Sequence, residues 1–241
     1  MSTQRIEPGE VIGSAFQIYR EQASVLIPTA IILFAIVALA RLVLTGGAAA
    51  LVSLVALVLG VFYQGMVVEL VGDVQDGRRD NSVEQLFRGV APIVLPLIGL
   101  SILLGIGVGI GFILLIVPGL FLITIWSVAA PALVIERRGV FAAFGRSREL
   151  VREHGWQVFA VILVVIVLSI LVGIIVAIVA SGLGTVGIAI VQWVVNVLVS
   201  PFEALISAVL YFSLRRVHGE SVVSDAPATG GPTGVPGYPS A

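Results

Sequence analysis

Long uncharged runs alternate with short charged ones along this chain, and the lengths of the runs set the expected architecture. A helix needs about 20 apolar residues to cross about 30 Å of hydrocarbon at about 1.5 Å per residue. Residues 22–40 and 42–68 are each free of charge and fit one crossing, with Gly46-Gly47 as the turn between them. Residues 89–135 carry no charge over about 70 Å of helix, so that run must double back. Ile116-Val-Pro-Gly119 is the expected hinge, because proline lacks a donor and glycine tolerates positive φ. Residues 155–202 repeat the situation, with Ser181-Gly-Leu-Gly184 as the turn.

Spans are therefore expected at 24–44, 48–71, 91–113, 118–136, 156–180 and 186–214. Barrel strands would alternate polar and apolar positions over about 10 residues, and these runs are continuously apolar. The expected fold is all-α: a polytopic membrane protein with six transmembrane helices as three hairpins, each preceded by an amphipathic juxtamembrane helix. In the first such helix Val11, Ile12, Ala15, Phe16 and Tyr19 share a face. Val83, Leu86 and Phe87 do so in the second, and Val140, Phe141, Ala143, Phe144, Leu150 and Val151 in the third, opposite Arg146, Glu149, Arg152 and Glu153. The chain divides into an N-terminal segment 1–23, a six-span domain 24–216 and a tail 217–241. From Asp225 the tail is rich in Pro and Gly and is expected to be disordered and cytoplasmic; its one aromatic, Tyr238, reads as part of an inert tail or, alternatively, as a docking point.

Composition strengthens the membrane reading: 59% of the residues are hydrophobic and 11% charged, with a mean hydropathy of +1.14. A soluble domain carries about 25% charged residues. The net charge of -1 hides segregation. All thirteen basic side chains are arginine, and twelve fall on one side of the expected spans: Arg5, Arg20, Arg78, Arg79, Arg88, Arg137, Arg138, Arg146, Arg148, Arg152, Arg215 and Arg216. Only Arg41 falls toward the other side, where it is expected to snorkel to headgroups. The positive-inside rule then puts both termini in the cytoplasm. Arginine without lysine, with abundant Ala, Val and Gly, points to a GC-rich bacterial genome and an inner-membrane location. The polar start lacks the apolar core of a secretory signal, so the first span is expected to direct insertion.

Chemistry is sparse. No cysteine is present, which excludes disulfides and thiolate sites, and only His154 and His218 could supply imidazole. No catalytic residue, cofactor or metal site is expected. Span six carries a polar stripe, Gln192, Asn196, Ser200, Glu203 and Ser207, whose offsets keep all five on one helical face. Glu203 lies twelve residues before Arg215, about 18 Å along the helix, and Pro201 should loosen the turn before it. A charged carboxylate in hydrocarbon is costly and calls for a partner or a proton. The stripe reads either as a polar-ligand or proton-linked site, or as hydrogen-bonding glue between spans.

A second stripe, Glu69, Asp73, Asp76 and Asp80, reads as a solvated helix end compensated by Arg78 and Arg79, or as a Mg²⁺ site of a lipid-headgroup enzyme. Gly182-Leu-Gly-Thr-Val-Gly187 matches a dinucleotide fingerprint by letter, but that motif needs a preceding strand, and this segment is a turn between apolar helices. Gly105, Gly107, Gly109 and Gly111 suit close helix packing. Arg146, Arg148 and Arg152 are candidate contacts to anionic headgroups, and Trp156 is an interfacial anchor.

Ile116-Val-Pro-Gly-Leu, Ala130-Pro-Ala-Leu-Val-Ile-Glu136, Arg146-Ser-Arg-Glu-Leu-Val-Arg152 and Trp156-Gln-Val-Phe159 resemble the bacterial membrane-domain family named after glycerophosphodiester phosphodiesterases. Gly9-Glu-Val-Ile-Gly-Ser-Ala-Phe-Gln-Ile-Tyr-Arg20 is similar to that family's amphipathic opening. The resemblance covers most of residues 8–216 and implies a stand-alone membrane unit without the soluble phosphodiesterase domain that some members carry. The expected function is therefore non-enzymatic: scaffolding or recruiting a protein partner at the cytoplasmic face, with membrane lipids as the other partners and no nucleic acid. The alternative is a transporter or channel-like protein for a lipid or small polar solute, with Gln192, Asn196 and Glu203 along its path.

Overall fold

The computed structural model describes residues 6–44, 48–77 and 83–220. The expectations for Gly46-Gly47, Arg78, Arg79, Asp80 and the tail from residue 221, Tyr238 included, lie outside the described residues. Among the described residues there is no strand. The helices are α1 (Pro8–Glu21), α2 (Ala23–Val43), α3 (Ala48–Gln75), α4 (Val83–Val90), α5 (Val94–Leu114), α6 (Ile116–Trp126), α7 (Ala129–Glu136), α8 (Val140–Arg152), α9 (Gly155–Ala180) and α10 (Thr185–Val217), with a 3-10 turn at Ala91–Ile93. Six stretches are long and apolar enough to cross a membrane: Ala23–Val43, Ala50–Gln75, Val83–Leu114, Ile116–Glu136, Gly155–Ala180 and Thr185–Val217. This is the character of a multi-pass helical membrane protein.

Burial runs opposite to apolarity, as expected where the solvent is hydrocarbon. α9 has the highest mean hydropathy of the six stretches, 3.6, and only 6% of its most apolar window is buried. α10 has the lowest, 1.8, with 61% buried. In water the more apolar helix would be the one hidden; in lipid tails it gains nothing by hiding, and the helix bearing polar groups takes the centre. α10 accordingly packs against α1, α2 and α3. The core gathers around Ala204–Leu214 of α10, Val61–Val71 of α3 and Val128–Val134 of span four.

The hinge between spans three and four falls earlier than expected. Leu115 alone is extended, with φ -165° and ψ 154°, and Pro118 sits in the first turn of α6, where its missing donor costs no helical bond. Gly119 serves contact instead, since an added Cβ would come within 2.6 Å of the Phe112 ring. Of the four glycines spaced two apart in α5, two make close approaches: a Cβ at Gly111 would lie 2.9 Å from the Gly119 backbone, and one at Gly107 2.6 Å from Trp126. Gly105 and Gly109 face open space.

Span four is broken at Ser127-Val128, between α6 and α7. Pro131 explains the break, because its nitrogen cannot donate to the Ser127 carbonyl one turn earlier. The short helices α1, α4 and α8 precede α2, α5 and α9, and their faces differ in part from the sequence expectation. In α1 the buried residues are Val11, Ala15 and Ile18, while Phe16 is exposed. In α4 they are Leu86 and Val90, while Val83 and Phe87 are exposed.

α8 shows the largest departure. Its buried face holds Ala143, Arg146, Ser147, Leu150 and Val151, and Phe141, expected on one face with Ala143 and Leu150, is 80% exposed. Arg146 can turn inward because carboxylates meet it there, and Ser147 because its hydroxyl donates to the Ile125 carbonyl at 2.8 Å.

Candidate functional site

The polar stripe of α10 does not line one common path; three of its five members bond to different neighbours. At one end Gln192 accepts from Arg41 Nη1 of α2 at 2.7 Å, so Arg41 is held by a helix partner. Near the middle Glu203 Oε1 accepts from the Ser169 hydroxyl of α9 at 2.9 Å. Further on, the Ser207 hydroxyl donates at 2.9 Å to the Ser127 carbonyl left without its helical donor by Pro131. Asn196 is exposed and Ser200 half-buried, and among the described residues neither has a hydrogen-bonding partner. α10 continues through Pro201 without interruption.

Glu203 borders a groove of about 310 Å³ between α1, α9 and α10. Phe16 and Tyr19 come from α1, Leu168 and Ser169 from α9, and Phe202 and Glu203 from α10. The Tyr19 and Phe202 rings meet edge to face with centroids 6.4 Å apart. The Tyr19 hydroxyl reaches to 3.4 Å from the Leu198 carbonyl oxygen, in the turn beside Pro201, and burial raises that phenol above its ordinary pKa. α9 and α10 run antiparallel in register here. The ring pair His154–His218, with centroids 5.8 Å apart, and the pair Ser169–Glu203 are separated by fifteen residues on each helix.

The arginine-bearing end is knit by an ionic cluster that the sequence did not single out. Glu136, at the end of α7, accepts from Arg146 Nε and from the Tyr211 hydroxyl, each at 2.8 Å, and its other oxygen lies 2.6 Å from Arg138 Nε. Arg146, 9% exposed, also pairs with Glu220 and lies 3.3 Å from Glu149. Arg215 joins Glu220 at 3.1 Å. Burial opposes the charge on Arg146, but its bonds to Glu220 and Glu136 outweigh burial and raise its proton affinity. Burial would likewise raise the Glu220 carboxyl, and Arg146 with Arg215 overrides it, holding Glu220 below the usual carboxylate range. Arg137 adopts a left-handed conformation, φ 51°, at the end of α7. Its guanidinium pairs with Glu69 of α3 and donates at 2.7 Å to the Gly89 carbonyl of α4.

Of the three arginines expected at headgroups, Arg146 is therefore withdrawn into the cluster, whereas Arg148 and Arg152 are exposed. They share a face with Phe141 by spacing, and Trp156, 78% exposed, follows at the start of α9. Of the acidic stripe, Glu69 is taken up by Arg137, and among the described residues no group of three His, Cys, Asp or Glu could hold a metal ion. Ser169, Glu136, Tyr211 and Glu220 are bonding partners of these residues that sequence reasoning missed. Glu136 carried one available signal, as the first charge after the uncharged run 89–135. Comparison with known proteins returned no matching family model, no matching curated protein and no matching solved structure.

Proposed function

We propose that the chain is a non-enzymatic scaffold of the bacterial inner membrane that holds a protein partner at the cytoplasmic face. In this reading the six spans form three hairpins, α1, α4 and α8 lie in the interface, and both termini face the cytoplasm. The resemblance to the membrane domains named after glycerophosphodiester phosphodiesterases belongs to the same proposal, as a stand-alone unit.

The observation that carries it is the outer face of α8. Phe141 stands 80% exposed beside Arg148 and Arg152, with Trp156 78% exposed at the start of α9. Behind that face, Arg146 and Glu136 fix α8 to α7 and to Glu220 after α10. A rigid helix presenting aromatics among arginines has the composition of an interface core, where Phe, Trp and Arg are enriched. Purification in mild detergent followed by mass spectrometry tests it. A stoichiometric protein partner that is lost in the Phe141→Ala, Arg148→Ala double variant supports scaffolding, and its retention in that variant removes the role of α8. Single cysteines at the exposed hinge residue Leu115 and at Gly182 should label only from outside, and labelling of Leu115 from the cytoplasm breaks the topology.

The second reading, transport of a lipid or small polar solute, is favoured by one observation: the groove beside Glu203. Uptake or efflux unchanged by Glu203→Gln would remove it.

A further inference from the structure

We propose that the groove between α1, α9 and α10 binds a lipophilic ammonium compound, with the charge at Glu203 and the apolar body along α9. This goes beyond scaffolding and does not depend on it. The groove offers three complementary features.

The first is charge. Glu203 receives one hydrogen bond, from the neutral Ser169 hydroxyl, and among the described residues it has no ion-pair partner. Arg41, the one arginine on the far side of the spans, is already bonded to Gln192. A carboxylate facing hydrocarbon without an internal cation calls for a proton or a cationic partner, and a ligand bringing a positive charge supplies the second.

Aromatic surface is the second. Phe16, Tyr19 and Phe202 stand around the same groove, and ring faces attract cations, quaternary ammonium groups above all. A hydroxyl or amide ligand gains less from those rings than a cation does, so they favour charge over mere polarity.

The third is shape. The remaining wall is aliphatic, supplied by Leu168 and its neighbours on α9 and α10, and about 310 Å³ lies at the small end of the usual range for ligand sites. The groove suits a compact head with one apolar arm, which α9, so little buried elsewhere, can accommodate.

Benzyldimethyloctylammonium, titrated into the full chain in non-ionic maltoside micelles, is the probe. Saturable binding of one molecule per chain is expected, weakened about tenfold or more by Glu203→Gln and by Phe16→Leu. Phe16 lies outside the spans, so its variant reports on the groove even if Glu203→Gln folds poorly. The neutral analogue N-benzyloctanamide should bind at least about tenfold more weakly than the cation. The proposal is overturned by non-saturable uptake, by equal binding of the neutral analogue, or by a folded Phe16→Leu variant of unchanged affinity. None of these outcomes bears on whether a protein docks at α8, so the two proposals fail separately.

Discussion

The Ser207 hydroxyl on α10 donates at 2.9 Å to the carbonyl of Ser127, the acceptor that Pro131 leaves without a backbone donor. The pairing explains how span four can break and remain in the bundle. An unpaired carbonyl away from water is expensive, and here a neighbouring helix supplies the missing proton.

Ser207→Ala should therefore lower stability by about 1 kcal/mol, within the range seen for interhelical hydrogen bonds in membranes. In a Pro131→Ala background the cost should shrink, because alanine, unlike proline, carries an N–H that can serve the same carbonyl. Thermal unfolding of the four proteins in one detergent measures the coupling. Additive effects would mean that Pro131 and Ser207 do not share the Ser127 carbonyl.

Arg146 and Arg148 sit two residues apart and should respond oppositely. Arg146→Ala leaves Glu136 only Arg138 and the Tyr211 hydroxyl, and Glu220 only Arg215, and should cost about 1–3 kcal/mol, whereas exposed Arg148→Ala should stay within about 0.5 kcal/mol. Unfolding midpoints decide, and equal losses would contradict the inward orientation of Arg146.

Glu220 supplies a pH dependence whose sign is fixed. Its carboxyl is held below the ordinary value of 4.5, so its contribution is complete above 4.5 and disappears as the pH falls through the lowered value. The stability difference between the parent chain and Glu220→Gln should be constant from about pH 7 to about pH 5 and vanish in stronger acid. A difference that grows on acidification would refute the assignment.

Alanine substitution should separate the glycines of α5. Gly111→Ala meets backbone, which cannot yield, and should cost about 1–3 kcal/mol. Gly105→Ala and Gly109→Ala point into open space and should gain up to about 1 kcal/mol from helix propensity. Thermal shifts of the three variants provide the comparison.

The span count was legible because hydrocarbon thickness is an absolute ruler: the boundaries expected from charge fall within a few residues of those observed for α2, α9 and α10. The stripe of α10 was legible for the same reason, as polar letters in an apolar run stand out. Which helix each letter would meet was not, because Ser169 and Ser127 are single hydroxyls with no periodic signature. α8 misled for a definite cause. Amphipathic reading assigns arginine to the outside, and it fails where carboxylates distant in sequence, Glu136 and Glu220, converge on the inner face. The left-handed Arg137 was invisible too, since glycine is the usual occupant of that conformation.

Only Glu153 and His154 separate α8 from α9, a tether of about 7 Å at full stretch. The groove wall and the arginine-bearing helix are thus two arms of one lever. A displacement of α9 beyond that reach cannot be absorbed at that joint, and must either drag Arg148 and Arg152 with it or pull Arg146 away from its carboxylates.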